Sequence, residues 1–179
     1  MNKFEKRFAA TESHIEVTRA SYPAFPRESA IVIRLIKHIY RVVQDQTNVT
    51  LRPWEVNHAE FNLMMMLYGT KGHSMSPSEL GEAAGEKLAN ITRLINRLTE
   101  KGLIQRATND EDRRRAVVSL TEDGLACVEE FLPPISQLLE QEMCALTRLE
   151  QHMLELLLKK MLTGLEMGDQ QDPEDVQHF

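Results

Sequence analysis

The stretch SPSELGEAAGEKLANITRLINRLTEKG, residues 76–102, decides how this chain is read. Ser76 stands where a helix N-cap belongs, Pro77 suits a first helical position, and Glu79 completes a capping box. The helix they open is short, Pro77 to Ala84, and Gly85 follows where the chain needs a tight turn. A second helix runs from Glu86 to Lys101 and is stopped by Gly102. Two helices joined by a brief glycine turn fit a helix-turn-helix. On the second, Ile91, Leu94, Ile95 and Leu98 recur at helical spacing and so pack inward. At ~100° per residue the opposite side holds Ala89, Arg93, Asn96 and Arg97, with Asn90 and Thr92 at its flanks. These residue types read a major groove. Arg93 or Arg97 can grip guanine O6 and N7, Asn90 or Asn96 adenine, and Ala89 or Thr92 a thymine methyl. Taken alone, such a helix is more often a solvated face. The capped helix before it and the basic segment after it favour nucleic acid.

That basic segment reads as a hairpin. Leu103–Ala107 and Ala116–Leu120 are strand-like around a charged middle, with Asn109 and Asp110 supplying turn chemistry. The tip holds Asp112, Arg113, Arg114 and Arg115. Arginines on a narrow ribbon can enter a minor groove, whose negative potential attracts them, and Asp112 is placed to hold Arg114. The alternative is an exposed turn that neutralises itself, since Asp110, Glu111 and Asp112 cancel the three arginines.

Upstream, a helix from Glu28 to Gln46 carries an apolar stripe through Ile31, Leu35, His38 and Val42, and another from Asn57 to Tyr68 carries Phe61, Met64, Met65 and Tyr68. Met64-Met65-Met66 reads as adaptable core filler rather than a sulfur ligand set. Downstream, Thr121 caps a long helix containing Gly124, Leu125 and Val128, which Pro133-Pro134 should kink or interrupt. The last helix, Leu146 to Leu165, repeats Leu149, Met153, Leu156, Leu157, Met161 and Leu162, a stripe too broad for a small domain to cover and therefore suited to a partner helix.

Composition sets the bounds. At 179 residues and 42% hydrophobic, the chain suits one globular unit. The net charge of −6 argues against nucleic acid only until it is located. From Leu165 to Phe179 there are five acids and no Lys or Arg, whereas Glu86 to Arg115 holds eight bases against five acids. The acidic tail is expected to be disordered. The amino terminus does not read as a secretory signal, and the longest apolar run, Leu63 to Tyr68, is far short of a membrane span, so the expected compartment is the cytoplasm with no membrane partner. Cys127 and Cys144 read as small buried hydrophobes. No phosphate loop, nucleophile elbow or zinc-protease His pair is present, and the six histidines are scattered, so neither an enzyme nor a metal or other cofactor is expected.

With these residues in place the chain resembles the MarR family of winged helix-turn-helix regulators, and within it the repressors of multidrug-efflux operons. The likeness runs from Ile31 to Leu162. It is carried by Leu80 to Gly85, Ile91-Thr92-Arg93-Leu94, Glu100-Lys101-Gly102-Leu103-Ile104, and Asp112-Arg113-Arg114 through Val118-Ser119-Leu120-Thr121 to Gly124. The resemblance implies a mainly α (α+β) fold, a winged helix-turn-helix with long N- and C-terminal dimerisation helices. Its divisions would be dimerisation helices over 1–52 and 122–166, a DNA-binding lobe over 53–121, and the tail 167–179. It implies a homodimer on a palindromic operator in double-stranded DNA, released by a small lipophilic or phenolic effector. Carried over by position, the recognition-helix residues are Lys87, Ala89, Asn90, Thr92, Arg93 and Arg97, and the wing residues are Asp112, Arg113, Arg114 and Arg115. The effector-pocket candidates are His38, Trp54, His58 and Met65, although residues of these types at such positions are more often core or interface packing. Where the family often has Ser or Thr followed by a polar residue, this chain has Lys87 and Leu88. A winged-helix protein-interaction module and a metal- or redox-sensing regulator stay open as alternatives.

Overall fold

The computed structural model describes residues 3–108 and 116–168. The chain divides into two compact units, Met1–Ile135 and Ser136–Phe179. The first carries α1 (Lys3–Ser21), α2 (Arg27–Leu51), a 3-10 turn (Arg52–Trp54), α3 (His58–Tyr68), β1 (Ser74–Met75), α4 (Pro77–Ala84), α5 (Leu88–Glu100), β2 (Ile104–Thr108) and β3 (Ala116–Leu120). α6 (Glu122–Met143) begins in the first unit, and α7 (Arg148–Gly168) lies in the second. This is the expected mainly α winged helix-turn-helix.

The sheet is antiparallel in the order β1-β3-β2, with Ile104 opposite Leu120 and Thr108 opposite Ala116. β1 was not expected, because two residues cannot display the alternation by which a strand is recognised. It pairs Ser74 with Ser119 and Met75 with Val118. Ser76 and Glu79 form the expected capping box: Ser76 N–H donates to Glu79 Oε2 at 2.7 Å, and Glu79 N–H to Ser76 Oγ at 3.2 Å. Gly85 turns the chain at φ 61°, a left-handed conformation that glycine adopts without steric cost.

Ile91, Ile95 and Leu98 are buried and Leu94 is half-buried, so the inward face of α5 is as its periodicity dictates. α5 starts at Leu88, two residues later than expected, because Gly85 and Glu86 are still in the turn. On α3 the inward face is Glu60, Leu63, Met64 and Leu67, whereas Phe61, Met65 and Tyr68 are half-buried. The shift has a polar cause: buried Glu60 is paired, and a charge on an inward face hides that face from hydrophobic patterning. The stripe on α2 is likewise covered only in part, with Ile31, His38 and Val42 half-buried and Leu35 exposed. α1 was not expected either, since within this chain it buries Ile15 alone among its described side chains.

Gly124 closes the wing against α6. A Cβ placed there would lie 1.9 Å from the Leu103 carbonyl oxygen, and that same oxygen accepts the Thr121 N–H at 3.1 Å. Thr121 caps α6, accepting the Gly124 N–H at 3.0 Å, and its hydroxyl donates to the Gly102 carbonyl at 2.7 Å. Pro133-Pro134 does not interrupt α6, which continues to Met143. The carbonyls deprived of donors belong to Glu129 and Glu130, both exposed, so solvent can satisfy them. α7 opens with a Thr-Glu capping box, Thr147 with Glu150, and reaches Gly168 rather than Leu165. The expected disordered tail lies, from residue 169, outside the described residues.

Candidate nucleic-acid interface

α5 presents its outward face at the surface of the lobe. Lys87, Ala89, Asn90, Thr92, Arg93, Asn96 and Arg97 are all exposed, opposite the buried Ile91, Ile95 and Leu98. Their polar groups are not equally free. Asn90 Nδ2 donates to Glu86 Oε2 at 2.9 Å, and Thr92 Oγ1 donates to the Leu88 carbonyl at 2.9 Å. Asn96 Oδ1 accepts from the Arg106 guanidinium on β2. Arg93 and Arg97 have no hydrogen-bond or ion-pair partner among the described residues, which leaves both forks available for a ligand. Arg106 was not singled out in the sequence. Its signal was an arginine on the strand leading into the hairpin, the position from which it reaches α5.

The far end of α5 is anchored. Lys101 Nζ donates to Glu60 Oε2 at 2.7 Å and to the Glu55 carbonyl at 2.6 Å. Glu55 adopts φ 54°, an uncommon conformation for a residue with a side chain. Glu60 also accepts the Asn57 N–H at 3.1 Å, completing a capping box at the start of α3. These contacts tie α5 to α3, and sequence reading found neither Glu60 nor its role.

The hairpin residues Asp112, Arg113, Arg114 and Arg115 lie outside the described residues. The strands that carry them, β2 and β3, pair along their whole length from Ile104–Leu120 to Thr108–Ala116.

A cleft of about 470 Å³ opens beside α5, between α2 and α3. It is lined by Tyr40, His58, Asn62 and Met66, and by Asn90, Arg93 and Arg97 of the outward face. Tyr40 and His58 meet edge to face at 6.1 Å, and burial lowers the His58 pKa below its ordinary value. Of the four effector-pocket candidates, His58 alone lines this cleft. His38 packs beside Phe8 at 6.4 Å. Trp54 donates its Nε1 proton to Glu130 at 2.9 Å and meets Phe131 edge-on, and Met65 is half-buried outside the cleft. Of the cysteines, Cys144 is exposed, contrary to expectation, and Cys127 is half-buried, where burial and then Glu130 push its thiol pKa up. Among the described residues no three His, Cys, Asp or Glu side chains gather as a metal site, and no helix is long and apolar enough to cross a membrane.

Residues 56–116 match the model of the MarR family. The chain is 30% identical over 166 residues to the transcriptional repressor MprA of Escherichia coli K12, covering 93% of this chain and 94% of that one. It is 32% identical over 130 residues to the multiple antibiotic resistance protein MarR of the same organism, covering 72% of this chain and 89% of that one. Among solved structures, a mutant of E. coli MarR complexed with operator DNA aligns with a TM-score of 0.71 at 29% identity, over 77% of this chain and 98% of that one.

Proposed function

Because the chain belongs to the MarR family of transcription regulators, a non-enzymatic family, we propose that it is a repressor that binds a palindromic operator in double-stranded DNA as a homodimer and is released by a small effector. The observation that carries this reading is the outward face of α5, where Arg93 and Arg97 stand unpaired among the described residues beside Ala89, Asn90 and Thr92. The recognition helix would lie in the major groove, with Lys87 at its entry. Asp112, Arg113, Arg114 and Arg115 would carry the wing to the flanking minor groove. Residues 53–121 act as the DNA-binding lobe in this reading, 1–52 and 122–166 as dimerisation segments, and the cytoplasm as the place of action.

A lipophilic or phenolic effector suits the cleft, which sets the Tyr40 and His58 rings beside two guanidinium groups. Arg93 and Arg97 belong to both cleft and reading face, so an occupant that engages them competes with DNA for the same groups. The test is selection from random duplexes, followed by titration of the enriched duplex with salt and with a panel of phenols, lipophilic drugs and fatty acids. Affinity should fall steeply with salt. Absence of any enriched sequence would overturn the DNA reading, and indifference to every compound would overturn the effector reading.

A further inference from the structure

We propose that Leu88 is a base-reading residue that recognises the 5-methyl group of thymine in the major groove. The proposal rests on the DNA-binding reading and adds to it a contact that the polar recognition residues do not supply. Among the described residues of 53–121, Leu88 is the one large hydrophobic side chain left exposed, at 55%. Periodicity would bury it, since at ~100° per residue it falls close to Ile91 and Ile95 on the inward flank of α5. It is the first residue of that helix, however, and the described residues leave more than half of it exposed. In a helix-turn-helix the N-terminal residues of the second helix are those that meet base edges.

Its neighbours sharpen the specificity. Thr92, one turn along, donates its hydroxyl proton to the Leu88 carbonyl, which leaves a methyl group and an acceptor for a ligand. Ala89 is exposed beside them, while the Asn90 amide is held by Glu86 and the Asn96 carbonyl by Arg106. The start of α5 therefore offers an apolar edge made of Leu88, Ala89 and the Thr92 methyl, flanked by the cations Lys87 and Arg93. Cations flanking an apolar edge suit a groove whose walls are phosphates, where they position the protein while the edge meets the bases. Of the base edges in the major groove, thymine's alone carries an apolar group, its methyl.

The experiment uses the full chain and the duplex enriched from a random pool. Each thymine of a half-site is replaced in turn by deoxyuridine, which removes only the methyl, and affinity is read by fluorescence anisotropy for the wild type, Leu88→Ala and Leu88→Met. Losing one methyl contact should weaken wild-type binding about fourfold at one thymine position, the equivalent of one buried methylene. Leu88→Ala should bind the thymine and deoxyuridine duplexes alike at that position, and Leu88→Met should keep the difference. If no thymine is sensitive, or if Leu88→Ala weakens both duplexes by the same factor, the proposal is overturned while the DNA reading stands. If no duplex is enriched at all, both fall together.

Discussion

Lys101 pins the C-terminal end of α5 to α3 through Glu60: the ammonium lies 2.7 Å from a carboxylate on a residue only 1% exposed. The two partners are unequal, because Lys101 keeps about a third of its side-chain surface in solvent and Glu60 almost none. Removing the lysine strands a buried charge, whereas neutralising the glutamate frees a lysine that can reach water. Lys101→Met should therefore cost about 3 kcal/mol of unfolding free energy and Glu60→Gln only about 1 kcal/mol, with the double variant recovering most of the difference. Denaturant unfolding checks this, and equal costs for the two single variants would refute the strut.

Gly124 has no room for a side chain. Gly124→Ala should push the start of α6 away from the Leu103 carbonyl and cost about 3 kcal/mol, at the upper end of the usual range for overpacking. The loss should appear in thermal unfolding and, because the displaced carbonyl bonds Thr121, in faster amide exchange at Thr121. A variant as stable as the wild type would show that the junction yields more easily than its geometry implies.

Arg93→Ala should cost about 1–3 kcal/mol on the enriched duplex and relax preference at one base position, without affecting the fold. Arg113→Ala should differ in kind. A phosphate contact would lower the salt slope by about one unit on all DNA, whereas insertion into a narrow minor groove would concentrate the loss on A·T-rich flanks. We expect the second pattern. Uniform loss across flanking sequences would assign Arg113 to the phosphates.

Burial holds the His58 pKa below its ordinary value, so the folded protein keeps this imidazole neutral where the unfolded chain would protonate it. Above about pH 6.5 both states are neutral and the residue adds no pH dependence. As pH falls below that value the unfolded chain takes up the proton first, and stability declines until the folded pKa is passed. His58→Gln should flatten this limb of the stability profile below about pH 6.5. If the two profiles run parallel, His58 is not the group that titrates there.

Both ends of the chain expose apolar helix faces that a lone molecule would not tolerate. On α7, Leu149 is 68% and Leu157 62% exposed, and on α2 Ile39 and Tyr40 are exposed as well. Sedimentation at micromolar concentration should report a dimer, and Leu149→Glu with Leu157→Glu should shift it toward monomer. A wild type that sediments as a monomer would remove the dimer from the proposed function.

The sequence by itself determined the elements whose signals are local. The Ser76–Glu79 capping box, the turn at Gly85 and the spacing of Ile91, Ile95 and Leu98 define α4, α5 and the inward face of α5. Each depends on residues within a turn or two of one another, so their order along the chain is enough to recognise them. Tertiary structure decided what those elements hold. Glu60 reads as an ordinary helical acid until Lys101, 41 residues away, is brought against it. Arg106 reaches Asn96 only because β2 folds back along α5, and the cleft exists only where α2, α3 and α5 converge. The exposure of Leu88 runs against its own periodicity, because a helical pattern records direction around an axis but not whether another element stands in that direction. Burial, pairing and cavity shape are properties of neighbours distant in sequence, and only the folded chain makes them adjacent.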